Sequence, residues 1–142
     1  HGIGVNAAAR KHLIPTATLR TVVSQVKDLP AGESVGYSRA GKTIRPTQVA
    51  TVAIGYADGL SRQFSNGKGK MWVNGHWAPI IGNVCMDMTM LDVTDISVEA
   101  GEEVEVFGEV QPIEDLAAAL GTIPYEILSG ISQRVRRVYY QE

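Results

Sequence analysis

Met71-Trp72-Val73-Asn74-Gly75-His76-Trp77-Ala78 is the stretch on which the reading of the fold turns. Two short runs of strand-forming residues flank an Asn-Gly pair. Asn and Gly tolerate the positive φ angles of a type I′ turn, whose twist matches the strands it joins, so residues 71–78 read as a β-hairpin. Outward from it, Asn66-Gly67 marks a preceding turn. Downstream, Val84 to Val93 alternates imperfectly, Glu103 to Phe107 alternates well, and Gln133 to Tyr140 reads as a closing strand. Upstream, Gln48 to Ile54 is a short apolar run suited to a buried strand. Thr16 to Lys27 is a Thr- and Val-rich strand that ends at a turn, Pro30-Ala31-Gly32-Glu33. One helix stands out: Ile113, Leu116, Ala117 and Leu120 fall at helical spacing, behind Pro112 and Glu114-Asp115 and ahead of Gly121. A shorter helical turn follows Pro124, and Asn6 to His12 is open between helix and loop. Many strands, frequent turns and one late helix point to a small barrel or sandwich.

Composition bounds the function classes. The chain has 142 residues, 44% of them apolar, enough for one domain with its own core. The formal charge is −2, and no dense cluster of Lys and Arg exists to neutralise phosphates, which argues against a nucleic-acid surface. No apolar run approaches the roughly 18 residues a membrane span needs, so no membrane partner is expected. A single cysteine, Cys85, cannot form an internal disulfide, which fits a reducing, cytoplasmic setting. His12 and His76 have no ligand-like spacing with a cysteine or second histidine, so no metal site is expected.

Three segments carry more than a plain β-domain needs: Val35-Gly36-Tyr37-Ser38-Arg39, then Ile54-Gly55-Tyr56-Ala57-Asp58-Gly59 with Arg62, then Gly82-Asn83-Val84-Cys85-Met86-Asp87. Each sets glycine beside a polar or aromatic group, as where backbone approaches a ligand. Bland readings compete with each. A strand tyrosine is ordinarily a packed ring with its hydroxyl at the surface. Ala57-Asp58-Gly59 is also a simple turn. Cys85, with no histidine near it in sequence, reads as a small buried hydrophobe. Met71, Met86, Met88 and Met90 read as core gap-fillers.

In this order the three segments resemble alanine racemases, whose pattern runs valine, glycine or serine, tyrosine, then isoleucine–glycine–tyrosine–alanine–aspartate–glycine, then cysteine–methionine–aspartate. Ile131-Ser132-Gln133-Arg134-Val135-Arg136-Arg137 is similar to the family's closing motif. Ala78 to Gly82 and Leu91 to Asp95 match as well, and the resemblance runs from about Leu19 onward. It implies a mainly β domain, a small Greek-key-like β-barrel with one or two short helices near the C-terminus. In the family this domain follows an α/β barrel that binds pyridoxal phosphate through a lysine. Lys11, Lys27, Lys42, Lys68 and Lys70 sit in no segment like that lysine's motif. Residues 1–15 are therefore expected to leave a missing N-terminal barrel, and residues 16–142 to form the β-domain. The chain opens on His1-Gly2-Ile3 without an initiator methionine, as the stretch just after the barrel's last strand would.

The resemblance also implies roles. Racemisation removes an α-proton from one face and returns it to the other, so two acid/base groups are needed; one is the cofactor lysine, the other by motif match Tyr37. An unperturbed tyrosine ionises near pH ~10, so a partner must stabilise its phenolate. Met86 is implied to offer its backbone amide to the substrate carboxylate. Tyr56 is implied to line the substrate entrance, with Arg62 farther out, and Gln133 falls where a group reaches the cofactor phosphate; Asp87 is given no direct role. Two positions depart from the common pattern: Gln133 stands where many members have tyrosine, and Asn83 where many have arginine. The implied partners are the barrel of the same enzyme and of a second subunit in a head-to-tail homodimer, with L- and D-alanine as substrates for peptidoglycan synthesis. Fusion of the parent to a peptidoglycan ligase stays open. Alternatives are a serine or broad-spectrum racemase domain and a non-catalytic β-barrel binding module. The isolated chain is expected to fold and to be inactive.

Overall fold

The computed structural model describes residues 14–36 and 40–140. The strands are β1 (Leu19–Leu29), β2 (Ser34–Val35), β3 (Gly41–Lys42), β4 (Thr47–Val52), β5 (Lys70–Val73), β6 (His76–Pro79), β7 (Thr89–Asp92) and β8 (Glu103–Phe107). Two helices follow, α1 (Ile113–Leu120) and α2 (Pro124–Gly130). Six strands form one antiparallel sheet in the order β6-β5-β8-β1-β4-β7. A bridge between Ile80 and Leu91 brings the two outer edges together, so the sheet is nearly closed. β2 and β3 make a separate small ribbon.

Closure depends on β1. Its first half pairs with β8 and its second half with β4, with a register irregularity between Val23 and Gln25. A strand that bends at such a point serves two sheet halves, which is how a sheet curls into a barrel. Leu19, Thr21 and Val23 point inward while Arg20, Val22 and Ser24 face out, the alternation of a half-buried strand. The interior is apolar: Val52, Leu91, Val93 and Val104 are fully buried, with Ala50, Met71 and Val73 beside them. α1 lays Leu116 and Ala117 on this core, and Ile127, Leu128 and Ile131 pack behind it. Gly121, at φ 68°, ends α1 by donating its N–H to Ala117 and Ala118.

The mainly β chain, with its Greek-key-like barrel and two short C-terminal helices, matches the expected class. The hairpin falls where Asn74-Gly75 predicts it, with Trp72 opposite Trp77 and their rings edge to face at 5.0 Å. β8 and α1 also match their predicted spans. Three expectations are corrected. Gln133 to Tyr140 is not a strand, because Arg137 donates to the carbonyls of Ile131, Ser132 and Val135 and turns the backbone on itself. Of Val84 to Val93 only Thr89–Asp92 is strand; residues 82–88 form an irregular loop. Met71 and Met90 do fill the core, but Met86 and Met88 are exposed at 53% and 46%. Asn6 to His12 lies outside the described residues.

Candidate functional site

β4 and β7 pair with Val52 opposite Thr89, so the segment leaving β4 and the loop entering β7 emerge at the same end of the barrel. Gly55 to Gly59 leaves β4 through a short 3-10 turn at Tyr56–Asp58. The turn is closed from both ends: Asp58 N–H donates to Gly55 O at 3.0 Å, and Gly55 N–H to Asp58 Oδ2 at 2.9 Å. Tyr56 N–H then donates to Cys85 O and Ala57 N–H to Met86 O, both at 3.0 Å, which binds the second motif to the third.

The two glycines of Gly55-Tyr56-Ala57-Asp58-Gly59 explain themselves here. A β-carbon at Gly55 would lie 2.3 Å from the carbonyl oxygens of Cys85 and Met86. At Gly59, where φ is 109°, it would lie 2.5 Å from Gly130 O at the end of α2. Only glycine admits both approaches. The closing motif is bound to the same turn, Ser132 N–H donating to Asp58 O at 3.0 Å.

Arg134 completes the junction. Its Nε donates to Asp58 Oδ1 at 2.7 Å and its Nη2 to Asp87 Oδ1 at 2.5 Å. One planar guanidinium thus bridges a carboxylate from each of two motifs. Burial on its own would raise the Asp58 pKa; the Arg134 hydrogen bond, the Gly55 N–H and the Arg134 charge together outweigh it, and the carboxyl sits below its ordinary value. Arg134 is held above its ordinary value by hydrogen bonds first to Asp58 and then to Asp87.

The structure places the sequence-derived residues unevenly. Met86 and Tyr56 are both exposed, at 53% and 45%, on the two bonded segments. The Met86 carbonyl is occupied by Ala57, and no described residue accepts from the Met86 N–H. Gln133 is exposed beside Arg134. Arg62 opens a second 3-10 turn, Arg62–Phe64, capped by Ser61; it is exposed and pairs with no described carboxylate. Tyr37 and Arg39 lie outside the described residues. Gly36, just before them, packs on the third motif: a β-carbon there would sit 3.4 Å from Asn83 N. Asn83 accepts a hydrogen bond from Asn66 Nδ2 at 3.0 Å.

The bridge of Asp58, Asp87 and Arg134 was missed by sequence reasoning, which read Asp58 as a turn former and gave Asp87 no role. Two acids and one arginine spread over three motifs were the available signal. Chemically, this end of the barrel offers a backbone donor with no described acceptor, on the exposed residue Met86, with an exposed tyrosine and an exposed glutamine beside it. None of the described lysines lies in segments 55–59, 82–88 or 131–137, so those segments hold no amine to join covalently to a carbonyl cofactor, while Gln133 has a donor suited to a phosphate. Among the described residues no three His, Cys, Asp or Glu side chains cluster as metal ligands. Two cavities, of about 160 and 240 Å³, lie against α1 and are lined by Leu60, Phe64, Val106 and Leu116, not by Tyr56, Met86 or Gln133. No helix among the described residues is long and apolar enough to cross a membrane.

Residues 16–139 match the family model of the alanine racemase C-terminal domain. Among curated relatives, alanine racemase 2 of Caldanaerobacter subterraneus subsp. tengcongensis is 45% identical over 132 residues, covering 89% of this chain. The catabolic alanine racemase of Agrobacterium fabrum is 41% identical over 99% of the chain. The chain spans about a third of the length of these relatives, 34% and 37%. Among solved structures, alanine racemase from D-cycloserine-producing Streptomyces lavendulae superposes with a TM-score of 0.88 at 38% identity, covering 94% of this chain and 36% of that one. Alanine racemase from Bartonella henselae with covalently bound pyridoxal phosphate gives 0.83 at 39% identity, covering 87% and 34%.

Proposed function

The chain belongs to the alanine racemase C-terminal domain family, and we propose that it serves as that domain in a pyridoxal-phosphate-dependent isomerase interconverting L- and D-alanine. In this reading residues 16–142 are the β-domain and residues 1–15 leave an N-terminal barrel. Two such subunits pair head to tail in the cytoplasm and supply D-alanine for peptidoglycan. The observation that carries the reading is that three family motifs, at 54–59, 82–87 and 131–137, are hydrogen-bonded together at one end of the barrel.

Pyridoxal phosphate, when bound, delocalises the charge left on the α-carbon after proton removal. The protein's own task is to hold substrate and move protons. Tyr37 is assigned one of the two proton transfers, with its hydroxyl oxygen as the exchanging atom. The Met86 N–H, given no acceptor by any described residue, is assigned the substrate carboxylate, a charge-assisted bond that backbone can make without side-chain chemistry. Tyr56 is assigned the wall of the substrate entrance and Arg62 its outer approach, where a guanidinium that pairs with no described carboxylate attracts a substrate carboxylate. Gln133 is assigned a hydrogen bond to the cofactor phosphate. The cofactor lysine and whatever activates Tyr37 are assigned to the barrel.

Tyr37→Phe in the full-length parent protein tests the central assignment. Removing one positioned acid/base group should lower kcat for alanine racemisation by about 10²–10⁴-fold. Racemisation at the wild-type rate in both directions would remove Tyr37 from the mechanism. A wild-type parent that binds no pyridoxal phosphate and turns over no amino acid would favour a binding module.

A further inference from the structure

The segments carrying Tyr56, Met86 and Gln133 share a weakness. None is in a sheet ladder or a helix long enough to hold itself, so their mutual geometry needs another source. Backbone bonds from Tyr56 and Ala57 to Cys85 and Met86 supply part of it, and the Ser132–Asp58 bond another part. Cys85 N–H also donates to Met88 O at 3.0 Å and closes residues 85–88 into a turn, yet among the described residues the Asp87 side chain at its tip is bonded by Arg134 alone. Arg134 acts there. Asp58 is two residues after Tyr56, Asp87 one after Met86, and Arg134 one after Gln133. The guanidinium therefore holds each segment within one or two residues of its exposed group, through Nε to Asp58 and Nη2 to Asp87.

The exposure of this bridge says what it is for. Asp87 is 56% exposed and Arg134 48%. An ion pair as open as Arg134–Asp87 contributes little to global stability, unlike the arm to Asp58, whose side chain is 13% exposed. Geometry is another matter, because a displacement of about 1 Å in a substrate-holding group can cost about 10²-fold in rate. A lysine at 134 would have one compact ammonium and could not span two carboxylates with two fixed directions. We propose that Arg134 is a positioning residue, bridging Asp58 and Asp87 so that the Tyr56 and Met86 segments present one fixed substrate-facing edge. This rests on the racemase reading for its substrate but not for the bridge itself.

The test uses full-length protein bearing Arg134→Ala or Arg134→Lys. It measures hydrogen exchange in peptides covering residues 55–59 and 85–88, and kcat and KM for L-alanine. In Arg134→Ala the exchange of the hydrogen-bonded amides in these two peptides, Tyr56 to Gly59 and Cys85, should rise about tenfold or more while peptides of β1 and β4 stay unchanged. KM should rise about tenfold with kcat within about threefold, because the edge holds substrate and Tyr37 moves the proton. Millimolar methylguanidinium should restore both readouts, and Arg134→Lys should restore them only in part. Exchange unchanged at 55–59 and 85–88 overturns the bridge. Faster exchange across the whole domain reduces Arg134 to an ordinary stabilising contact and overturns the proposal, as does faster local exchange with KM unmoved. Should the wild-type parent fail to racemise alanine, the racemase reading falls, and local exchange with its methylguanidinium rescue still decides whether Arg134 braces the edge.

Discussion

Asp58 shows how much one short side chain can join. Its two carboxylate oxygens take different partners, Oδ2 the Gly55 N–H and Oδ1 the Arg134 Nε, while its carbonyl accepts from Ser132. The side chain is 13% exposed, so a proton on it would leave Arg134 and Gly55 facing a weaker acceptor in a partly dry setting. Because its folded pKa is lowered, Asp58 adds stability above its ordinary ionisation range, and that contribution fades as pH falls through the lowered value. Asp58→Asn should therefore lower stability at neutral pH and flatten the acid limb of the stability profile below about pH 4, which chemical denaturation at several pH values would measure. An unchanged acid limb would show that the pairing is spent equally in the unfolded chain. The sequence marked Asp58 only as a turn residue, since a turn former and an ion-pair acceptor look alike until the partner is known.

At the scale of elements, local chemistry was the reliable guide. The hairpin was legible because Asn74 and Gly75 both adopt positive φ, 48° and 79°, as a type I′ turn demands. Its strands are then held by the Trp72–Trp77 pair, with the Lys70 ammonium 4.2 Å from the Trp77 ring centre. Gly75→Val places a branched side chain in the left-handed region and should cost about 1–2 kcal/mol in urea denaturation, with the fold retained. A cost near zero would mean the turn had changed type. The segment after α2 misled for the opposite reason. Its apolar and arginine residues have strand-like composition, but Arg137 satisfies three carbonyls that a neighbouring strand would otherwise engage. The loop at 82–88 reads as strand by composition too, yet Cys85 and Met86 give their carbonyls to the 3-10 turn and not to a sheet partner.

For the molecule as a whole, the decisive contact is the seam. Leu91 is fully buried, pairs with Ala50 in the sheet and bridges to Ile80 across the gap between the outer strands. Leu91→Ala opens a void where neither edge can collapse without breaking the other, and should cost about 2–5 kcal/mol measured by thermal or urea unfolding. A loss below about 1 kcal/mol would show a seam that repacks freely. The sequence by itself determined the hairpin, β8, α1, the mainly β class and the order of the family motifs, because turn angles, strand alternation and helix period are set by neighbours along the chain. It named Tyr56, Met86 and Gln133 as site residues through motif likeness, without showing that their segments touch. Only the tertiary structure decided that Arg134 meets Asp58 across 76 residues and Asp87 across 47. Contacts at that separation depend on where β4, β7 and α2 come to rest against a common core, and no local preference encodes that.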